Sequence, residues 1–242
     1  IMAAIFVLAE TGAGKSTSLF KNDELGIKGL NPEETFVICC AINTSKGLPF
    51  RGWKKHYQDF NPKEGTGNLL RTSSAATVLK GVTWAARQTN IKNIVIDDLQ
   101  YIMADKYVSD MDGGFDVFKK IGADIKKIIS AVESSDKHFI CLSHYEDVVD
   151  SSGKIVRQKA KTVGKMVDQY LTLEGNFDVV LYVKTEILKK PIDNRYVNKF
   201  FVTNADGEFN QAKSPFGMFR EIYTLNDMGL VIEKIEEHEN GE

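Results

Sequence analysis

Apolar residues in this chain gather into short unbroken runs, with longer stretches of mixed pattern between them. Residues 3 to 8 (Ala-Ala-Ile-Phe-Val-Leu) form the first run and 36 to 42 (Phe-Val-Ile-Cys-Cys-Ala-Ile) the second. Runs of this length without polar alternation predict strands buried on both faces. Residues 94 to 97, 138 to 143 and 177 to 183 continue the series, and 197 to 203 predicts a strand paired with the last of these, with Asp206-Gly207 marking a turn. Between the runs the period changes to that of a helix. Ser73 or Ser74 can cap a helix reaching Gln88, with Ala75, Val78, Leu79, Val82 and Ala86 on its apolar face. Residues 115 to 133 predict the clearest amphipathic helix, carrying Phe115, Phe118, Ile121, Ile125, Ile128, Ile129 and Val132. A further helix is expected from about Lys15. Residues 43 to 67, punctuated by Gly47, Pro49, Gly52, Pro62, Gly65 and Gly67, read as extended loop. Its Phe50, Trp53, Tyr57 and Phe60 either pack over the fold or touch a ligand. Strands separated by long helices indicate an α/β chain with a mostly parallel central sheet and helices on both faces.

Charge alters this picture in two places. The 242 residues carry 31 bases and 33 acids, but 226 to 242 hold six acids against one lysine. The expected division is therefore a main domain over 1–225 and an acidic C-terminal segment over 226–242, either a solvent-facing helix or a frayed tail. Residues 154 to 165 hold Lys154, Arg157, Lys159, Lys161 and Lys165 with no acid, framed by Gly153 and Gly164. A mobile loop of this kind either faces a phosphate backbone or is simply solvated. The three cysteines lack metal-ligand spacing and read as core packing in a reduced, cytoplasmic protein. No apolar run approaches the length of a membrane span. The opening strand runs at once into Glu10, Gly12 and Lys15, unlike a signal peptide.

Residues 9 to 17 read Ala-Glu-Thr-Gly-Ala-Gly-Lys-Ser-Thr, a phosphate-binding loop between a strand and a predicted helix. Gly12 and Gly14 permit a tight turn whose amides point at phosphate oxygens. Thr11, Gly12, Ala13, Gly14, Lys15, Ser16 and Thr17 form the cradle. Lys15 can reach the β- and γ-phosphates of ATP, and the Ser16 hydroxyl can bind Mg²⁺. Ala9 stands where such loops usually begin with glycine. The run ending Ile96-Asp97-Asp98 supplies the complementary acids. Asp97 is placed to hold Mg²⁺, and Asp98 to orient or deprotonate the attacking water, or else to cap the following turn. His144, after Ser143 at the end of a strand, is read as a γ-phosphate sensor, with a structural histidine as the rival. The catalytic candidates are thus Lys15, Asp98 and His144.

With these residues placed, the chain resembles bacteriophage P-loop ATPases with a RecA-like core, related to phage single-strand annealing and recombination ATPases. The resemblance extends over almost the whole chain. It rests also on Gly47-Leu48-Pro49-Phe50-Arg51-Gly52, on Asn93 through Tyr101 and on Leu142-Ser143-His144-Tyr145-Glu146. Lys161 through Met166 and Ala212 through Phe219 complete it. It implies a RecA-like P-loop NTPase fold and Mg²⁺-dependent ATP hydrolysis serving DNA recombination, annealing or replication in an infected bacterial cytoplasm. The resemblance does not fix the substrate; the expected partners are single-stranded DNA along the basic segment 154 to 165, further copies of the chain, and a phage or host replication or recombination protein. In such oligomers a neighbour often contributes a cation; Arg157, Lys161, Lys184 and Arg195 are candidates. No acid follows the second strand, which continues Asn43-Thr44-Ser45-Lys46, so water activation falls to Asp98 or hydrolysis is slow. A nucleotide-dependent protein-binding switch and a small-molecule or nucleotide kinase are the alternatives.

Overall fold

Alternate residues of β1 (Ala3–Ala9) enter two different cores. Ala4, Phe6 and Leu8 face one side, whereas Ile5, Val7 and Ala9 face the other. The same division recurs in β2 (Thr35–Cys39), β4 (Asn93–Asp97) and β5 (His138–Val149), as the two-residue period of a strand requires. The computed structural model describes residues 3–40, 48, 52–169, 171–192 and 195–241, of which 189–192, 195 and 196 are described by their backbone alone. Among these residues β3 (Leu69–Arg71), β6 (Ile155–Ala160), β7 (Val179–Ile192), β8 (Arg195–Val202) and β9 (Tyr223–Leu225) complete one sheet. Its order is β3-β2-β4-β5-β1-β7-β8-β9, with β6 paired to the outer half of β5. From β3 to β7 all neighbours are parallel, and β6, β8 and β9 join antiparallel. One strand, β5, separates the phosphate-loop strand β1 from the acid-bearing strand β4.

Helices cover both faces. The apolar stripes of α1 (Ala75–Ala86) and α3 (Asp116–Ser130) bury Val78, Val82, Ile121, Ile125 and Ile128 in the first core, and α2 (Gln100–Ser109) adds Ile102 and Met103. A single turn, α4 (Lys165–Asp168), adds Val167. The opposite core is closed by α5 (Met228–Asn240), through Met228, Val231 and Ile235, and by Leu19, Phe20, Leu30 and Tyr57. The acidic C-terminal stretch is therefore a helix with one buried face. No helix among the described residues is long and apolar enough to cross a membrane.

Several elements depart from expectation. Instead of an α-helix after Lys15 there is one 3-10 turn, Ser16–Leu19, after which Phe20 is extended. Ser18 Oγ binds Lys15 O, and Asn22 and Ile27 exchange backbone hydrogen bonds in a small hairpin that reverses the chain. Residues 154 to 165 are not a loop: β6 pairs with β5, setting Lys159 opposite Glu146 and Arg157 opposite Val148. α3 starts one residue late, leaving Phe115 exposed. Strands β3 and β9 and helix α2 were not foreseen. The expected continuation of the second strand through 41 and 42, the stretch Asn43-Thr44-Ser45-Lys46, Gly47, Pro49, Phe50 and Arg51 lie outside the described residues, as does the side chain of Arg195.

Candidate functional site

The carboxyl ends of β1, β4 and β5 meet at one point, where parallel sheets place their ligand chemistry. Gly12 (φ 80°) and Gly14 (φ 104°) adopt left-handed backbone, which a side chain would strain. The Ala13 amide closes the loop on Glu10 O at 3.2 Å. Among the described residues, the amides of Gly12, Gly14 and Lys15 have no backbone acceptor. These are donors of the kind an anion takes up.

Two contacts join this loop to β4. Lys15 Nζ lies 2.7 Å from Asp98 Oδ1, the two side chains being 9% and 8% exposed. Ser16 Oγ donates to Asp97 Oδ1 at 2.9 Å. The structure thus brings together the predicted phosphate-loop cation, hydroxyl and both acids, from positions 81 or more residues apart. Ser16 and Asp97 suit a hard cation that keeps most of its shell of water and phosphate oxygens. Asp98 has φ 67°, unusual for a residue with a Cβ but tolerated best by Asp and Asn. That conformation turns its carboxylate away from the strand and onto Lys15.

His144 completes the group. Its Nδ1 lies 2.9 Å from Ala9 O. A carbonyl only accepts, so Nδ1 carries the proton and Nε2 the lone pair. Nε2 stands 3.8 Å from Asp98 Oδ1. Burial lowers the imidazole pKa, and the nearby Lys15 charge lowers it further, so the ring is neutral. Gln100, a residue sequence reasoning missed, ties the ends of β4 and β5 together. Its Nε2 donates to Asp98 Oδ1 at 3.3 Å, while its Oε1 accepts from Ser143 Oγ at 2.9 Å. Glu10 accepts from the Tyr145 hydroxyl, whose pKa is raised by burial first and by Glu10 second. Thr11 is exposed and Thr17 lines a neighbouring groove with Asn198 and Asn226.

The basic candidates are less uniform than their sequence. Lys154, Arg157, Lys161 and Lys165 are exposed. Lys159 is half-buried and paired with Glu146 at 3.1 Å and with Asp168. Burial pulls its ammonium pKa down, but these two carboxylates carry it above the ordinary value. Its charge is thus already neutralised within the chain. The Lys161 amide donates to His144 O at 2.8 Å, which joins the end of the basic strand directly to His144.

The sheet order and this convergence of residues define the class: a RecA-like P-loop NTPase fold. No family model matches the chain, and no curated protein does. Among solved structures the fold is similar to the KaiC-like protein PH0186 from the hyperthermophilic archaeon Pyrococcus horikoshii OT3, with a TM-score of 0.46 and 14% identity. That likeness covers 83% of this chain and 77% of the other.

Proposed function

We propose that this chain binds ATP with Mg²⁺ and hydrolyses it. The observation that carries the reading is the pair of bridges from the phosphate loop to β4, Lys15 to Asp98 and Ser16 to Asp97. Lys15 would exchange Asp98 for the β- and γ-phosphates, and Ser16 and Asp97 would hold Mg²⁺. The metal would neutralise phosphate charge. Asp98, released from Lys15, would then share a water with the neutral Nε2 of His144, since a 3.8 Å gap between two acceptors suits a bridging donor. Phosphate release should be measurable in the wild type and absent in Lys15→Ala, with ATP affinity reduced by a few kcal/mol. Wild-type turnover in that variant would remove the assignment.

Single-stranded DNA is the partner we propose for this cycle, in recombination, annealing or replication by a phage in its host's cytoplasm, with several copies of the chain acting together. The resemblance to phage annealing ATPases supports it, as do four exposed bases on or beside β6 and the short backbone link from Lys161 to His144. One observation favours the protein-binding switch instead: Val149 and Val156 are 54% and 51% exposed on the same hairpin. Stimulation of ATP turnover by single-stranded DNA separates the two.

A further inference from the structure

The phosphate loop is gripped on its carbonyl side by the far end of the chain. Lys199 of β8 donates from Nζ to Gly12 O at 2.9 Å. Asn226, between β9 and α5, donates from Nδ2 to Gly14 O at 3.0 Å. A Cβ on Gly14 would lie 2.8 Å from Lys199 Cδ and 3.2 Å from Asn226 Nδ2, so the two side chains close directly over the glycine. In a trans peptide the N–H points opposite to the C=O. Fixing the Gly14 carbonyl toward Asn226 therefore aims the Lys15 amide the other way. That amide is one of those with no backbone acceptor among the described residues.

The grip is anchored rather than incidental. Asn226 is 2% exposed, and its Oδ1 is buried with no hydrogen-bond partner among the described residues. A buried amide that uses only its donor half is costly, and what it secures here is the Gly14 carbonyl. The adjoining Asp227 accepts from the amides of Lys28 and Gly29 at 2.6 and 2.9 Å, and from Gly229 at 2.9 Å. The β8–α5 unit thus holds both ends of the segment from Gly12 to Gly29. The segment's own helical hold on the loop is slight: it has the four-residue turn Ser16–Leu19, and the Ser18 amide donates to Gly14 O at 3.3 Å, so Asn226 adds a second donor to that carbonyl.

We infer that Lys199 and Asn226 are positioning residues that preorganise the phosphate loop from its carbonyl face, within one chain, so that its amides are already aimed at a triphosphate. This rests on the nucleotide reading above. Preorganised donors bind without reorganisation at the moment of contact, so loosening them weakens binding.

The test compares the full chain with Lys199→Met, Asn226→Leu, Lys199→Arg and Lys234→Met. Amide hydrogen exchange without nucleotide is followed at Ala13 and Ser18, the loop amides held by Glu10 O and Gly14 O, and ATP·Mg²⁺ affinity by calorimetry. Lys199→Met and Asn226→Leu should speed loop exchange about threefold or more, with the β4 and β5 amides unchanged. ATP affinity should fall roughly tenfold in each. Lys199→Arg keeps a donor and should restore both readouts. Lys234→Met removes the same charge from the exposed side of α5 and should alter neither. Lys199 is only half-buried, so its variants decide the question even if Asn226→Leu does not fold. Unchanged loop exchange in Lys199→Met would overturn the brace, and faster exchange with unchanged ATP affinity would overturn its role in phosphate binding. A wild-type chain that binds no ATP would remove the nucleotide reading, and the exchange comparison would still decide the brace.

Discussion

Replacing Asp98 by Asn should make the protein less stable, a tighter binder of nucleotide and a far poorer catalyst, all through one contact. Asn tolerates the left-handed backbone at this position and nearly preserves shape, so the change is one of charge. At an effective dielectric near 20, the attraction across the 2.7 Å Lys15–Asp98 contact is about 6 kcal/mol before desolvation. Breaking a buried pair from one side costs about 3–5 kcal/mol, and the Asn carbonyl still accepts from Lys15, so a loss of about 3 kcal/mol is expected. For a chain of this size that is a fall of about 6–12 °C in melting temperature. ATP then meets a Lys15 that has no carboxylate to give up. If only half of the lost energy returns on binding, affinity rises about tenfold. Turnover should drop at least about a hundredfold, because the group facing the water has lost its basicity. Urea unfolding, calorimetric titration with ATP·Mg²⁺ and phosphate release measure the three quantities. Wild-type stability with unchanged or weaker ATP affinity would refute the competition between Asp98 and phosphate for Lys15.

Two other expectations follow from charge placement. His138 is 1% exposed and burial holds its imidazole pKa down to about 4, below an unfolded value of 6.5. The unfolded chain therefore takes up the proton first, so this stabilisation is present above pH 6.5 and is lost as pH falls toward 4. Unfolding free energy should drop by about 2 kcal/mol more between pH 7 and pH 5 in the wild type than in His138→Leu; parallel pH profiles would exclude His138 as the source. On the DNA reading, Arg157→Ala with Lys161→Ala should lower the single-strand salt slope by about 1.4, whereas Lys159→Ala should leave it nearly unchanged because that charge is internally paired. Anisotropy of labelled single-stranded DNA across a salt series measures this, and an equal effect of all three residues would contradict the pairing.

The central strands were legible because each is an unbroken apolar run, and α1 and α3 because their apolar residues repeat with a helical period. α2 was not, since its buried contribution to the apolar core is Ile102 and Met103 followed by an exposed, charged half. β6 was misread because its bases dominate the local composition. The acids that answer Lys159, Glu146 and Asp168, lie on β5 and α4, and only pairing brings them close. The helix expected after Lys15 failed for a local reason: Ser18 bonds back to Lys15 O and the 22-to-27 hairpin competes for the backbone. At the site, Lys15, Ser16, Asp97 and Asp98 were legible as residue types that phosphate and metal chemistry demands. Gln100, Lys199 and Asn226 were not, because each acts through a side chain reaching a distant segment and leaves no local pattern.

A motif names the groups that meet the ligand but not what they do beforehand, and here the resting arrangement matters. Lys15 is satisfied by Asp98, Ser16 by Asp97, and His144 is neutral with its proton committed to Ala9 O. The site stabilises its own cation internally, with Asp98 occupying the electrostatic role that a phosphate oxygen would take. On the nucleotide reading proposed above, a ligand would have to bring enough charge to displace a buried carboxylate, which would select for a polyphosphate over a singly charged anion. On the proposed reading that displacement would also free Asp98 to face water, so one exchange would both admit the ligand and uncover the base. In that exchange the loop glycines would contribute only if their carbonyls stayed fixed while Lys15 moved, and Lys199 and Asn226 donate to those carbonyls, Gly14 O also accepting from the Ser18 amide. On this reading the fixed part of the site is anchored by Lys199 and Asn226, and the part that would switch is the Lys15–Asp98 contact.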